Sequence, residues 1–286
     1  MPFLNSALSD FTKAANIPHQ TILGSNQKTE KNHITTGTHN LSPAGSSGVI
    51  NVCPGAGFCA KLCLHWAGNP AYMKGKASKR QRQTVAFAAN PKLYVENLAL
   101  ALCRQVFKNS FELSAFRPNT TSDILWENVD FALSIDSAQY IRQRYKIETR
   151  AGFYESLFHF IQENSLPVIC YDYTKLKRDW SKCQGLGYHL TASYDGNLNT
   201  GNHKVCRDAI ANGVNVAVAF NIKRGFDLPK RVDDFLGISR RFDVIDGDLT
   251  DARFIDKARG QIIGLRFKHP RSIPHTNADI SNFCYS

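Results

Sequence analysis

The 286-residue chain has no long apolar run: no window approaches the roughly 18 consecutive apolar residues that span a bilayer, so no membrane-embedded role is expected. The opening residues Met1-Pro2-Phe3-Leu4-Asn5 lack the basic and apolar regions of an export signal, and the expectation is a cytoplasmic protein. Glycine and proline are few, 19 and 11, which excludes collagen-like and low-complexity chains. With 43% hydrophobic and 21% charged residues the chain has the means to bury a core. Acidic residues are the scarce charge. Twenty-four Asp and Glu against 35 Lys and Arg leave a net +11, which favours an anionic partner, nucleic acid first. The length lies near the upper end of what one core supports, and the expectation is one domain over 1–286. Within it, 1–110 would hold an N-terminal loop, cysteines and helices, and 111–286 repeated β/α units.

Eight cysteines without an export signal read as reduced thiols or metal ligands rather than a disulfide framework. Five are scattered, whereas Cys53, Cys59 and Cys63 form a C-x5-C-x3-C loop with one Pro and two Gly in its first half. Structural zinc prefers two separated cysteine pairs. Three thiolates in one tight loop leading towards a helix fit an iron–sulfur cluster better, a [4Fe-4S] centre with one iron left for another donor. His65, Cys103, Cys170, Cys183 and Cys206 are possible fourth ligands, with Cys206 also a simple packed thiol, and zinc remains an alternative.

Outside this loop, Thr21 to Leu23 and Val49 to Val52 look like strand, and helical spacing covers Lys76 to Ala89 and Pro91 to Lys108. From residue 111, apolar runs at 111–116, 167–171, 188–193, 214–220, 242–245 and 262–267 alternate with helical segments such as 153–163 and 203–211. Strand and helix in alternation imply parallel pairing. The expected fold is α/β, a complete or partial (β/α) barrel, with a doubly wound open sheet as competitor. Polar residues follow the strand runs one after another: Arg117 and Asn119, Asp172 and Tyr173, Ser193 and Asp195, Asn221, Asp246 and Asp248, Lys268 and His269. Sites in β/α folds are built at that edge, although strands also simply end in polar turns.

Three segments carry candidate chemistry. In the run from Arg117 to Glu127, Arg117 suits phosphate or carboxylate, Asn119 and Asp123 suit ligand binding, and Trp126 suits base stacking. Thr, Ser and Asp here also make a structural, helix-capping loop. Asp246, Asp248 and Asp251 suit a hard divalent cation, or equally a turn with Arg253 as counter-charge. Asp172 and Tyr173 add a carboxylate and a phenol, the latter a possible nucleophile or a packed ring. Basic residues gather at Lys74, Lys76, Lys79, Arg80 and Arg82, directly after the cysteine loop, and at Lys175, where they would meet phosphates.

The segment from Leu41 to Gly48, the three cysteines and His65 to Met73 together resemble the phage gene product 88-like family. The resemblance continues through Arg117 to Glu127, Tyr171 to Lys175, Tyr188 to Thr191, Val244 to Asp248, Asp251 to Phe254 and Gly264 to Arg266. It departs at Lys268-His269, where Lys-Gly is expected. The resemblance implies a phage-encoded protein acting in the host cytoplasm. A rolling-circle replication label attached to some relatives needs histidines flanking one hydrophobic residue, and no such triplet occurs here. The resulting expectation is an iron–sulfur protein that binds or processes nucleic acid at the mouth of a β/α barrel. The alternatives are a radical-type or other small-molecule enzyme using an open iron, for which the familiar C-x3-C-x2-C spacing is absent, and a zinc-stabilised nucleic-acid-binding protein.

Overall fold

The computed structural model describes residues 17–25, 34–63, 74–196, 201–256, 259–269 and 274–285. In chain order the elements are α1 (His19–Ile22), β1 (Thr35–Thr38), α2 (Lys74–Ala89), α3 (Pro91–Lys108), β2 (Ser114–Arg117), β3 (Phe131–Leu133), α4 (Ile135–Tyr145), β4 (Gly152–Tyr154) and α5 (Leu157–Glu163). They continue with β5 (Val168–Thr174), α6 (Trp180–Gly185), β6 (Tyr188–Ser193), α7 (Asn202–Ala211), β7 (Val216–Phe220), β8 (Arg231–Asp233), β9 (Arg241–Asp246), β10 (Ile262–Arg266) and α8 (Asn277–Phe283).

The longest helix, α3, starts and stops where its sequence dictates. The Asn90 side chain accepts from Leu93 N–H, Pro91 opens the first turn, and Ser110 and Phe111 leave the helix at positive φ. Its buried face carries Tyr94, Val95, Leu98, Leu102 and Val106.

Eight strands form one sheet in the order β1-β2-β5-β6-β7-β10-β9-β8, parallel throughout except for β8 against β9. β3 and β4 pair separately and antiparallel. Strand alternation sorts side chains to two faces. Phe116, Cys170, Tyr188, Ala192, Val216, Val218 and Ile262 join the helices in two apolar clusters. The alternate residues Ala115, Tyr171, Ala217 and Ile263 are buried yet lie outside both clusters. The helices that build these clusters therefore share one face of the sheet. Against the other packs the 3-10 turn Arg253–Ile255, whose Phe254 meets Tyr171 edge-on.

The α/β expectation holds, and the barrel is corrected to an open sheet. After β7 the chain runs to the far edge, returns as the antiparallel pair β8 and β9, and slots β10 between β9 and β7. The last parallel strand is thus used up inside the sheet, leaving a short antiparallel strand at one edge and the four-residue β1 at the other. Among the described residues the helices of the two apolar clusters share one face, where a doubly wound sheet carries such helices on both. Two strand expectations fail as well: Thr21 and Ile22 are helical, and 49–52 is irregular. Among the described residues no helix is long and apolar enough to cross a membrane.

Candidate functional site

A cavity of about 610 Å³ opens at the carboxyl ends of the parallel strands. Its sheet side is made by Thr38, Arg117, Tyr173, Ser193, Ala217, Ala219 and Leu265, which share the face turned away from the helix clusters. Two alanines on β7 leave the floor empty where larger side chains would fill it. The opposite wall comes from Cys59 and Leu62 of the cysteine loop, from Lys76, Lys79 and Arg80 on the first half of α2, and from Phe267, Lys268 and Phe283.

Arg117 is the best-anchored group in this wall. Its Nε lies 3.2 Å from Asp172 Oδ1 and its Nη1 2.7 Å from Asp251 Oδ2, and the guanidinium stands 5.0 Å from the Tyr173 ring centroid. Asp172 is buried on the helix side of β5 and also accepts from Asn119 N–H and the Tyr188 hydroxyl. Burial pushes its carboxyl up to about 7, against the opposing pull of Arg117. Burial likewise raises the pKa of the Tyr173 phenol, whose ring lines the cavity beside Arg117. Asp172 thus positions Arg117 instead of facing the cavity itself.

Lys175 reaches the cavity from just after β5. Its Nζ donates to Ser193 Oγ at 2.7 Å and stands 5.7 Å from the Phe283 ring centroid. Lys79 Nζ donates to Leu23 O at 3.3 Å. Neither of these two contacts is an ion pair, since both partners are neutral oxygens. Burial lowers the Lys79 pKa, and repulsion from Arg80 and Arg82 lowers it further. Arg82 does not line the cavity, and Lys74 opens the helix with its side chain outside the described residues.

Within the Arg117–Glu127 run, Arg117, Thr120 and Thr121 line the cavity, while Asn119, Asp123 and Trp126 are held in structural contacts. Asn119 Oδ1 accepts from Ser122 Oγ, Ile124 N–H and Trp126 Nε1 at 2.8 to 3.0 Å, while its Nδ2 donates to Ile124 O and Tyr188. Asp123 accepts from Thr174, Lys175 N–H and Arg178. Every polar atom of these two residues that a ligand would use is already committed. Trp126 is 0% exposed, packed against Phe87 and His39, so the base-stacking role is not open to it.

The acidic cluster is corrected too. Asp246 takes both oxygens to Arg266 Nη1, Asp248 accepts from Arg266 N–H, and Asp251 turns to Arg117. These carboxylates neutralise arginines and do not converge on a cation. Among the described residues no group of three or more His, Cys, Asp or Glu side chains is drawn together as a metal site.

For the cysteine loop, exposure separates the thiols. Cys53, Cys59 and Cys63 are half-buried, whereas Cys103, Cys170, Cys183, Cys206 and Cys284 are buried. The Cys53 thiol donates to Thr121 O at 3.6 Å, and burial raises its pKa to about 12. The 3-10 turn Gly57–Ala60 presents Cys59 towards the cavity. The three thiols share one loop, but among the described residues they are not drawn together as a metal site. Cys206 does not extend this set: it is fully buried on α7 beside Asn202, in the second apolar cluster. His65 lies outside the described residues.

A family model described as Gene product 88 matches residues 14–286. The chain belongs to the Gene product 88 family, a phage family. No curated protein and no solved structure matches it. The match takes in the cysteine loop and every strand, so the cavity of this Gene product 88 protein is built wholly from the matched region. Thr38, Arg266 and Phe283 were not foreseen as part of it. Arg266 ends β10 as Arg117 ends β2, and the same rule of polar residues at strand ends finds it. Thr38 sits in a TTGT strand with no apolar residue to betray it, and Phe283 arrives from the C-terminal helix without any local signal.

Proposed function

We propose that this protein binds a phosphate-bearing ligand, a nucleotide or the unpaired end of a nucleic acid, in the cavity at the carboxyl edge of its sheet. An iron–sulfur cluster on Cys53, Cys59 and Cys63 would stand at the rim. The supporting observation is the composition of the wall: seven Lys and Arg side chains against two carboxylates, with a cysteine of the loop among them. Arg117 and Arg266 are balanced by their aspartates, whereas among the described residues Lys79 and Lys175 are met by neutral oxygens. An anion relieves the repulsion among Lys79, Arg80 and Arg82. The volume falls in the range that encloses a single small ligand, and a duplex does not enter it. A cluster held by three cysteines leaves an iron able to bind and polarise a ligand group.

The same enclosure supports the small-molecule enzyme as a second reading, because Cys59 faces the closed volume rather than open surface. Anaerobic purification with iron, sulfide and zinc analysis, followed by titration with adenosine 5′-phosphate and with a short single-stranded oligonucleotide at low salt, tests both. Equal iron and sulfide with affinity for the phosphate ligands is the expected result. Colourless protein with stoichiometric zinc removes the cluster. Absence of affinity for either ligand removes the nucleic-acid reading and leaves the small-molecule enzyme.

A further inference from the structure

With Trp126 in the core, base recognition outside the cavity needs another aromatic, and the loop after β7 displays one. Lys223, Arg224, Gly225 and Phe226 form a tight turn closed by Phe226 N–H to Lys223 O at 3.2 Å, with Gly225 at φ +97°. That φ is one that glycine takes without strain, and it throws the neighbouring side chains outward. Lys223, Arg224 and Phe226 are all exposed, Phe226 at 66%. Neither cation is drawn into an ion pair among the described residues, and one carboxylate, Asp227, follows them.

The turn is fastened to the cavity. Arg266, in the cavity wall, donates from Nε to Phe226 O at 2.8 Å while its Nη1 is fixed by Asp246 and Asp248. Leu249, next in the chain after Asp248, is 82% exposed on the same rim. Among the described residues, the exposed Phe111 and Phe153 have no such tie, whereas the backbone carbonyl of exposed Phe226 is joined to the cavity wall by a hydrogen bond. An exposed aromatic beside two cations is the combination that grips an unpaired base and its neighbouring phosphates.

We propose that the Lys223–Phe226 turn is the strand-binding arm of this site: Phe226 stacks on an unpaired base next to the cavity, and Lys223 and Arg224 meet the adjacent phosphates. The ligand class is then single-stranded nucleic acid rather than a free nucleotide. This rests on the cavity being a phosphate site. The β7 floor and the β7–β8 turn are consecutive in the chain, so one strand can occupy both.

The test compares adenosine 5′-phosphate with a single-stranded oligonucleotide of about ten nucleotides, using the full chain and two variants, Phe226→Ala and the double change Lys223→Ala with Arg224→Ala. The strand should bind more tightly than the nucleotide. Phe226→Ala should weaken the strand about 5- to 150-fold and leave the nucleotide unchanged, and Phe226→Trp should restore strand affinity. The double change should lower the log–log salt slope by about 1.4. Unaltered strand affinity in Phe226→Ala, or a preference for duplex of the same sequence, overturns the arm while nucleotide binding in the cavity stands. Loss of binding to both ligands in the unaltered protein overturns the cavity reading itself.

Discussion

Arg117 Nε sits 3.2 Å from Asp172 Oδ1, and this contact locks adjacent strands β2 and β5 together where both end at the cavity. The pair spans the sheet: the arginine lines the cavity, the aspartate is buried on the helix side with its proton affinity raised by that burial. The charge presented to a ligand therefore depends on a group the ligand never meets.

A pH prediction follows from Asp172 together with His39. The Asp172 carboxyl moves from 3.8 unfolded to about 7 folded, so the stability it contributes is complete below about pH 4 and is lost as pH rises through about 7. His39, buried between Pro118 O and the Tyr94 hydroxyl, goes the other way, from 6.5 to about 4, chiefly through burial. Its contribution is present above about pH 6.5 and is lost as pH falls through about 4. The two slopes oppose each other between pH 4 and 6.5. Urea unfolding should show Asp172→Asn losing stability with acid in that window and His39→Gln gaining it. Variants that both keep the parent's pH profile would refute the assignment.

Arg178 supplies a sharper stability test. Its side chain is fully buried, with Nη2 2.6 Å from Asp123 Oδ1, Nη1 2.8 Å from Glu127 Oε2 and Nε 3.0 Å from Thr174 Oγ1. Removing the guanidinium strands two buried carboxylates, which costs about 3–5 kcal/mol. Arg178→Met should lower the unfolding free energy by that amount, and Arg178→Lys should recover only part, because an ammonium cannot fork between both acids. A loss below about 1 kcal/mol in Arg178→Met would show that the network relaxes.

Trp126 separates core from interface. Trp126→Phe keeps most of the packing and gives up the Nε1 bond to Asn119 Oδ1, at a cost of about 1 kcal/mol. Affinity for single strands should not change. A specific loss of affinity at unchanged stability would mean that the ring reaches ligand after all.

Much of this was legible in the sequence, and the reasons for the failures are physical. Helix α3 was readable to its ends because Asn90, Pro91 and the apolar stripe agree. Strands β5, β6, β7, β9 and β10 were readable because each carries a short apolar run. β1 was not, since an edge strand of threonines and glycine buries no apolar stripe. Openness of the sheet was also hidden: the same runs serve a closed barrel or an open sheet, and only the return of β10 between β7 and β9 decides. At the site, strand-end residues were found, but which of them face a ligand depends on strand parity. Arg117 and Tyr173 turn to the cavity, and Asp172, between them in register, turns away. The spacing singled out Cys53, Cys59 and Cys63, and these three are half-buried where the other five cysteines are buried.

Cys206 and Cys59 give contrasting outcomes. Cys206→Ala removes a buried sulfur from the α7 core and should cost about 0.5–3 kcal/mol while leaving iron and sulfide content unchanged. Cys59→Ser, in a half-exposed position, should remove bound iron. Retention of full iron in Cys59→Ser would exclude that thiol as an essential ligand.

Salt dependence separates the cations of α2 from one another. Lys76, Lys79 and Arg80 line the cavity, and Arg82, one turn on, does not. Each phosphate neutralised on a single strand releases counterions worth a log–log slope of about 0.7. Changing the first three to Ala should therefore flatten the slope by about two, with loss of affinity growing as salt is lowered. Arg82→Ala should leave the slope nearly intact, yet it relieves part of the repulsion that lowers the Lys79 pKa, so the ligand-free protein should become slightly more stable. Oligonucleotide titrations over a tenfold range of salt, paired with melting curves without ligand, read both effects at once. If Arg82→Ala flattened the slope as much as the triple change, the phosphates would lie along the outer face of α2 rather than in the cavity.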